Sequence, residues 1–219
     1  MTSTEIIDGI QVVHLGDGAN TIDASFLDAL EAALDQIDAD DGLVGLVTIG
    51  DGKAYSQGYD LDAFATLGDA LPAFIDRSVR LLSRVLVAPV PTVAALNGHT
   101  FGYGAMLALA HDLRVQREDR GWFCLPEVDL GLQFHELQLS LIQAKLAPSA
   151  VAESILGGRR WDGPAAHAAG IVDATAAEGA LLRAAVDLAL VRAGKDRRIV
   201  TALKRDLYAS TVARTPPAP

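Results

Sequence analysis

Cysteine is almost missing from this 219-residue chain, in which Cys124 is the single thiol. One thiol permits no intrachain disulfide and no all-cysteine metal site, and it suits a reducing compartment. Positive charge is scarce as well: 18 Lys and Arg stand against 28 Asp and Glu, for a formal net charge of -10. A surface of that sign repels polyphosphate, which argues against a nucleic-acid partner. The basic residues are scattered apart from Lys195, Arg197, Arg198, Lys204 and Arg205, a group read as helix-surface ion pairs or as a weak anion site. No run of about 18 apolar residues is free of charges and turn residues, so no membrane partner is expected. The opening MTSTEIIDG lacks the positive start and apolar stretch of a signal peptide. These absences predict a soluble, cytoplasmic protein.

What the chain does hold is apolar mass. The hydrophobic set makes up 50% of it, enough for one domain with a full core. Alanine occurs 37 times, 13 of them between Val151 and Val200, while aromatics reach only 5%. Alanine has the highest helix propensity, so the C-terminal part is expected to be mostly helical. A boundary is placed near Gly158, dividing a strand-and-helix core over 1–158 from a helical portion over 159–219 within one structural domain.

Periodicity predicts the elements. Ile10 to Leu15 reads as a strand, followed by a helix that Asp23 or Ser25 caps and that buries Phe26, Leu27, Leu30, Ala33, Leu34 and Ile37. Leu43 to Ile49 and Val90 to Leu96 are nearly continuous apolar runs, the mark of strands covered on both faces. A helix spans Leu71 to Leu86, with Pro72 in its first turn. A small-residue helix runs from Gly102 to Ala110, and short strands are read at Leu113 to Gln116, Trp122 to Leu125 and Ile171 to Asp173. Further helices cover His135 to Ala144, Pro148 to Gly157, Pro164 to Ala169, Glu178 to Arg192 and Asp196 to Ala209, and TPPAP is expected to fray. The last two long helices carry apolar stripes. Leu181, Leu182, Ala185, Leu188 and Ala189 form one, and Ile199, Val200, Leu203 and Leu207 the other, with Lys204 and Arg205 on the wet side. The stripes suit either the chain's own sheet or contacts between subunits.

Few motifs carry chemistry. There is no GxxxxGK[ST], and the histidines at 14, 99, 111, 135 and 167 form no HxxxH or HExxH, so no metal site is expected. No serine sits in GxSxG, and Cys124 lies in an apolar strand as an inert thiol. Two strand-to-glycine turns stand out, KAYSQGYD and NGHTFGYGAMLALAHD. In the second, the glycines at 102 and 104 precede a helix whose free N–H groups could stabilise a developing negative oxygen. The same glycines also suit plain close packing of helix on sheet. Glu127, after Pro126 in FCLPEVDLGL, is read as a rim carboxylate, an arginine partner or a proton acceptor with a raised pKa.

Taken in order, DGKAYSQGYDL, NGHTFGYGAMLALAHDLRV, PEVDLGL and GRRWDGPAAHAAGIVD make the chain resemble the enoyl-CoA hydratase/isomerase (crotonase) superfamily, over more than three quarters of its length. Within it the likeness is to monofunctional Δ3,Δ2-enoyl-CoA isomerases. The resemblance implies an α/β crotonase (ClpP-like) fold of repeated β-β-α units with C-terminal helices, assembled as a homotrimer or hexamer. It also implies an acyl-CoA substrate, with coenzyme A entering as part of that substrate and no separate cofactor. The thioester oxygen would be held by the backbone N–H groups of Tyr59 and Tyr103, where tyrosine replaces the family's usual small residues. Lys53, Ala54, Gly58, Asp60 and Leu61 match one binding segment, and Gly102, Gly104 and Met106 match another. Leu130, Phe134 and His135 are assigned to the acyl site, although His135 equally begins a helix. The family's hydratases use two glutamates. The first falls here at Met106, which cannot activate water, and the second at Glu127. One carboxylate serves a double-bond shift better than hydration, so isomerase ranks above hydratase, and above a non-catalytic acyl-CoA-binding protein. Phe123, Leu125, Val128, Leu130 and Leu132 are expected to supply the apolar setting that raises the Glu127 pKa.

Overall fold

The computed structural model describes residues 2–218. Strand β1 (Ser3–Ile7) turns through Asp8 and Gly9, both at positive φ, into antiparallel β2 (Ile10–His14). The Asp-Gly pair is the strong signal for this hairpin, yet periodicity alone begins the strand reading at Ile10. Asp23 then caps α1 (Ala24–Ala39) by accepting from the Phe26 N–H, and the six expected apolar residues form its buried face.

Three strand pairs follow. In each, a strand of a large sheet continues round a corner into a strand of a small one: β3 (Gly45–Ile49) into β4 (Ala54–Ser56), β5 (Thr92–Leu96) into β6 (His99–Phe101), and β7 (Leu113–Arg117) into β8 (Phe123–Cys124). Helices α2 (Leu61–Leu67) and α3 (Leu71–Leu86) follow the first pair, α4 (Tyr103–Ala110) the second, and α5 (Glu127–Leu130) with α6 (Glu136–Lys145) the third. The short α2 and α5 go beyond what periodicity predicts; Asp60 caps one, and Pro126 and Gly131 bracket the other. Helices α7 (Pro148–Gly157) and α8 (Gly163–Ala168) lead to β9 (Ala174–Ala176). The large sheet has the order β1-β2-β3-β5-β7-β9, parallel from β2 onward, and the small sheet is β4-β6-β8, also parallel. This is the crotonase fold.

The large sheet is covered on both faces, as its continuous apolar runs require. Val13, Leu46, Ala94 and Leu96 pack with α1, α3 and α4 on one side. Ile10, Val12, Val47, Ile49, Val93, Ala95 and Val115 meet Leu181, Ala185, Val186 and Ala189 of α9 (Leu181–Leu190) on the other. The first of the two predicted stripes therefore belongs to the chain's own sheet.

Four expectations are corrected. The strand predicted at Ile171 to Asp173 lies three residues later, because Ile171 and Val172 turn into the core and pairing starts at Ala174 against Val115. Lys204 is not on the wet side. In α10 (Arg197–Leu207) Arg197 donates to the Ile37 carbonyl in the last turn of α1 and to Leu43 O at 2.9 Å, while Lys204 Nζ meets Asp112 Oδ2 at 2.7 Å and Val90 O at 3.0 Å. The helix thus docks by its bases, satisfying carbonyls where a helix dipole favours cations. Its apolar stripe consequently faces out, with Ile199, Leu203 and Leu207 exposed. The tail after α11 (Ala209–Val212) is pinned along α3 rather than frayed: Thr215 Oγ1 donates to Ser83 Oγ at 2.8 Å and Arg80 to Pro217 O at 3.0 Å. Finally, Val128, Leu130 and Leu132 are about half exposed, so Phe123 and Leu125 beneath Glu127 are the members of the expected apolar setting that are buried.

Among the described residues, no helix is long and apolar enough to cross a membrane.

Candidate active site

Three parallel strands deliver three chain segments to one edge of the small sheet. Beyond β4 comes Gly58-Tyr59, beyond β6 Gly102-Tyr103, and beyond β8 Pro126-Glu127. The C-terminal edge of parallel strands is where open sheets commonly place ligands. The segments touch. A Cβ on Gly58 would lie 2.8 Å from Phe101 O and 3.1 Å from Tyr103 N, and one on Gly102 would lie 3.4 Å from Glu127 Oε1. Gly58, at φ +81°, is therefore required both by its backbone angle and by the lack of room.

Two N–H groups are left over. Tyr103 opens α4, so its N–H has no acceptor within the helix. Among the described residues the Tyr59 N–H has no backbone acceptor either, although its neighbour Gly58 accepts from Ile22 N at 3.0 Å. The side chains turn elsewhere. The two rings stand 4.9 Å apart, and both hydroxyls reach Ser78 of α3.

Glu127 is the first residue of α5, 7% exposed, and the only buried carboxylate among the described residues. Its Oε2 is buried without a hydrogen-bond partner among those residues. Burial disfavours the charged form and pushes its carboxyl up to about 7. Of the three roles open to it, rim group and arginine partner are thereby removed. Two nearby acids are engaged or turned away: Asp60 accepts from the N–H groups of Asp62 and Ala63, and Asp129 is exposed and turned toward Gly158.

The remaining candidates separate. Met106 is buried in α4 and Ala54 in β4. Gly104 serves packing, since a Cβ there would stand 2.5 Å from Ser56 O. Lys53 is exposed, and Leu61 and Leu130 are about half exposed. Phe134 packs against the main core. His135 is the N-cap of α6: its Nδ1 accepts from Leu137 N at 3.1 Å, and its own N–H donates to Gln138 Oε1 at 2.9 Å. That places the neutral imidazole proton on Nε2. Sequence reasoning passed over Ser78, and its spacing carries no signal. The available hint was that two tyrosines at donor positions would need buried partners for their hydroxyls. Among the described residues no group of three His, Cys, Asp or Glu side chains converges as a metal site.

The family model described as enoyl-CoA hydratase/isomerase matches residues 5–217. The chain belongs to the enoyl-CoA hydratase/isomerase family. A curated relative, enoyl-CoA delta isomerase 3 of Arabidopsis thaliana, is 36% identical over 84% of this chain and 80% of its own length. The carnitinyl-CoA dehydratase of Salmonella typhi is 34% identical over 88% of this chain and 74% of its own. Among solved structures, a probable enoyl-CoA hydratase of Mycobacterium tuberculosis superposes with a TM-score of 0.89 at 29% identity, over 98% of this chain and 91% of that one. Family membership thus brings both isomerase and hydratase names within range, and the site chemistry has to choose between them.

Proposed function

We propose that this crotonase-family acyl-CoA enzyme is a Δ3,Δ2-enoyl-CoA isomerase. One observation carries the reading: Glu127, the single buried carboxylate among the described residues, borders the Gly102 turn that leads into the Tyr103 N–H and meets the Gly58-Tyr59 turn, while α4 offers the uncharged Met106. A 3-enoyl-CoA would set its thioester oxygen between the N–H groups of Tyr59 and Tyr103. Glu127 removes a proton from C2, the dienolate charge rests on that oxygen, and the same carboxyl returns a proton to C4. The product is trans-2-enoyl-CoA. A carboxyl near 7 suits a group that must both take and give a proton at neutral pH. Hydration needs a further group to hold and activate water, and a thioether does neither.

The similarity to a delta isomerase supports this reading, and the similarity to a dehydratase names its rival. Absorbance of the conjugated thioester separates them. Conjugation appearing from 3-enoyl-CoA is the expected result. Its disappearance from 2-enoyl-CoA at a comparable rate would make the protein a hydratase, and neither change would make it an acyl-CoA-binding protein.

Self-association through α10 belongs to the same proposal. Ile199, Leu203 and Leu207 form an exposed apolar stripe on a helix already docked by its opposite side. Light scattering should give the mass of about three or six chains, and L203D should reduce it to a single chain that is still folded. A single-chain mass for the parent at every concentration would end the idea.

A further inference from the structure

Each candidate oxyanion donor is the N–H of a peptide that follows a glycine at positive φ, +81° at Gly58 and +52° at Gly102. On the glycine side each peptide plane is held at its carbonyl alone, Gly58 O accepting from Ile22 N at 3.0 Å and Gly102 O from Met106 N at 3.1 Å, while glycine itself adds no side-chain restraint. A second restraint comes from the tyrosine side. Tyr59 Oη lies 2.6 Å from Ser78 Oγ, and Tyr103 Oη donates to the Ser78 carbonyl at 2.7 Å. Ser78 Oγ gives its only proton to the Ile75 carbonyl at 2.7 Å, so the Tyr59 hydroxyl must be the donor toward Ser78. Both phenolic protons are therefore committed to α3, and neither ring is free to protonate a substrate. Ser78 itself is 0% exposed, in the buried face of a 16-residue helix. Around Tyr59, Phe64 and Phe74 close at 4.8 and 6.2 Å between ring centres.

We propose that Ser78 is a positioning residue: its hydroxyl and its main-chain carbonyl tie down the two tyrosines whose N–H groups receive the thioester oxygen. This rests on the oxyanion reading given above. Such donors work by being aimed before charge develops, so a rocking peptide forfeits part of their effect.

The test uses the whole protein with a saturated acyl-CoA carrying 13C at the thioester carbonyl, a ligand that neither isomerisation nor hydration consumes. In the parent the bound carbonyl stretch lies below its solution position, because two donors polarise it. Y59F, Y103F and S78A should each move the band back toward the solution position. Each should also lower kcat on 3-enoyl-CoA about tenfold with KM within twofold, less than the ~10²–10³ lost when an oxyanion donor is deleted. The double variant Y59F/S78A should match Y59F, because both cut the same bond. The tyrosine variants lose one oxygen and keep ring volume, so they remain interpretable if S78A folds poorly. A lowered melting temperature with an unmoved band would overturn the positioning role and leave Ser78 a structural residue. Full additivity of Y59F and S78A in kcat would overturn the shared path. A band already at its solution position in the parent would refute the oxyanion reading itself, and the role of Ser78 would fall with it.

Discussion

Two regions bury charge, and they treat it in opposite ways. Beneath the large sheet, Arg114 bonds Asp173 Oδ2 at 3.1 Å, Ile171 O at 2.7 Å and His111 O at 3.2 Å. Lys204 meets Asp112, Lys145 donates to His111 O at 3.0 Å and covers the Tyr208 ring, and His111 bonds Thr48 and Leu107 O. At the edge of the small sheet, Glu127 buries an oxygen with no partner among the described residues. Burial shifts groups in both places: Lys145 falls to about 7, His111 to about 4, and Glu127 rises to about 7. A shifted pKa therefore does not mark the site. Nor does a lone unpartnered atom, since Gln11 Oε1, His99 Nδ1 and Gln116 Oε1 are also buried without partners among the described residues; what sets Glu127 apart is that its unpartnered atom belongs to a carboxylate beside the glycine turns at 58 and 102.

The sharpest way to break this contrast is to neutralise Glu127. E127Q keeps the shape and removes the base, so kcat should fall by ~10²–10⁴-fold with acyl-CoA binding retained. Activity within threefold of the parent would falsify its role. The base must also be ionised to take the first proton. In the parent, kcat/KM should fall about tenfold per pH unit once the pH drops below about 7, and a flat profile down to pH 5.5 would contradict the raised carboxyl.

The partnered region should answer the reverse way, in stability and not in rate. D112A leaves Lys204 Nζ with the Val90 carbonyl alone, and losing one member of a largely buried pair should cost about 2–4 kcal/mol in urea unfolding. Catalysis should be unchanged within twofold. Pairing D112N with K204M removes both charges and should recover most of the loss. No recovery would mean that packing, and not charge, holds α10 in place.

The sequence showed what repeats and hid what depends on distant partners. The buried face of α1 and the two-sided burial of β3 and β5 were legible because every third or fourth residue, or every residue, carries the signal. Family motifs located Glu127, Tyr59 and Tyr103 by position, while their roles remain proposals. The orientation of α10 was not legible, since an amphipathic stripe says which side is apolar but not that Arg197 and Lys204 have carbonyls waiting in α1 and before β5. Nor was Ser78. Its contacts with Tyr59 and Tyr103 span 19 and 25 residues and have no local pattern. The strand at β9 was misplaced because Ile171 and Val172 have strand-like side chains but no strand beside them.

The smallest effect tests the comparison most directly, because it asks whether the unpartnered carboxylate is a cost to the fold. Glu127 keeps its proton up to about pH 7 in the folded chain, whereas the unfolded chain releases it near its ordinary value of 4.5. Between those values the folded state holds more protons, so this group's contribution to stability declines as pH rises from about 4.5 through 7. Above pH 8 the folded chain carries the full penalty of a buried anion, about 3 kcal/mol for a shift of that size at ~1.4 kcal/mol per unit. E127Q abolishes the anion but leaves an amide in the same unpartnered place, which takes back part of the gain. The variant should thus be more stable than the parent by about 1–2 kcal/mol at pH 8. At pH 4, where the parent carboxyl is protonated in the folded state and largely so in the unfolded one, only the cost of the amide remains, and the variant should be less stable than the parent by about 1–2 kcal/mol. Urea midpoints at the two pH values give the answer, and comparing variant with parent cancels every other carboxylate. An advantage equal at both would trace to packing and not to charge, and Glu127 would then belong with the satisfied groups beneath the large sheet.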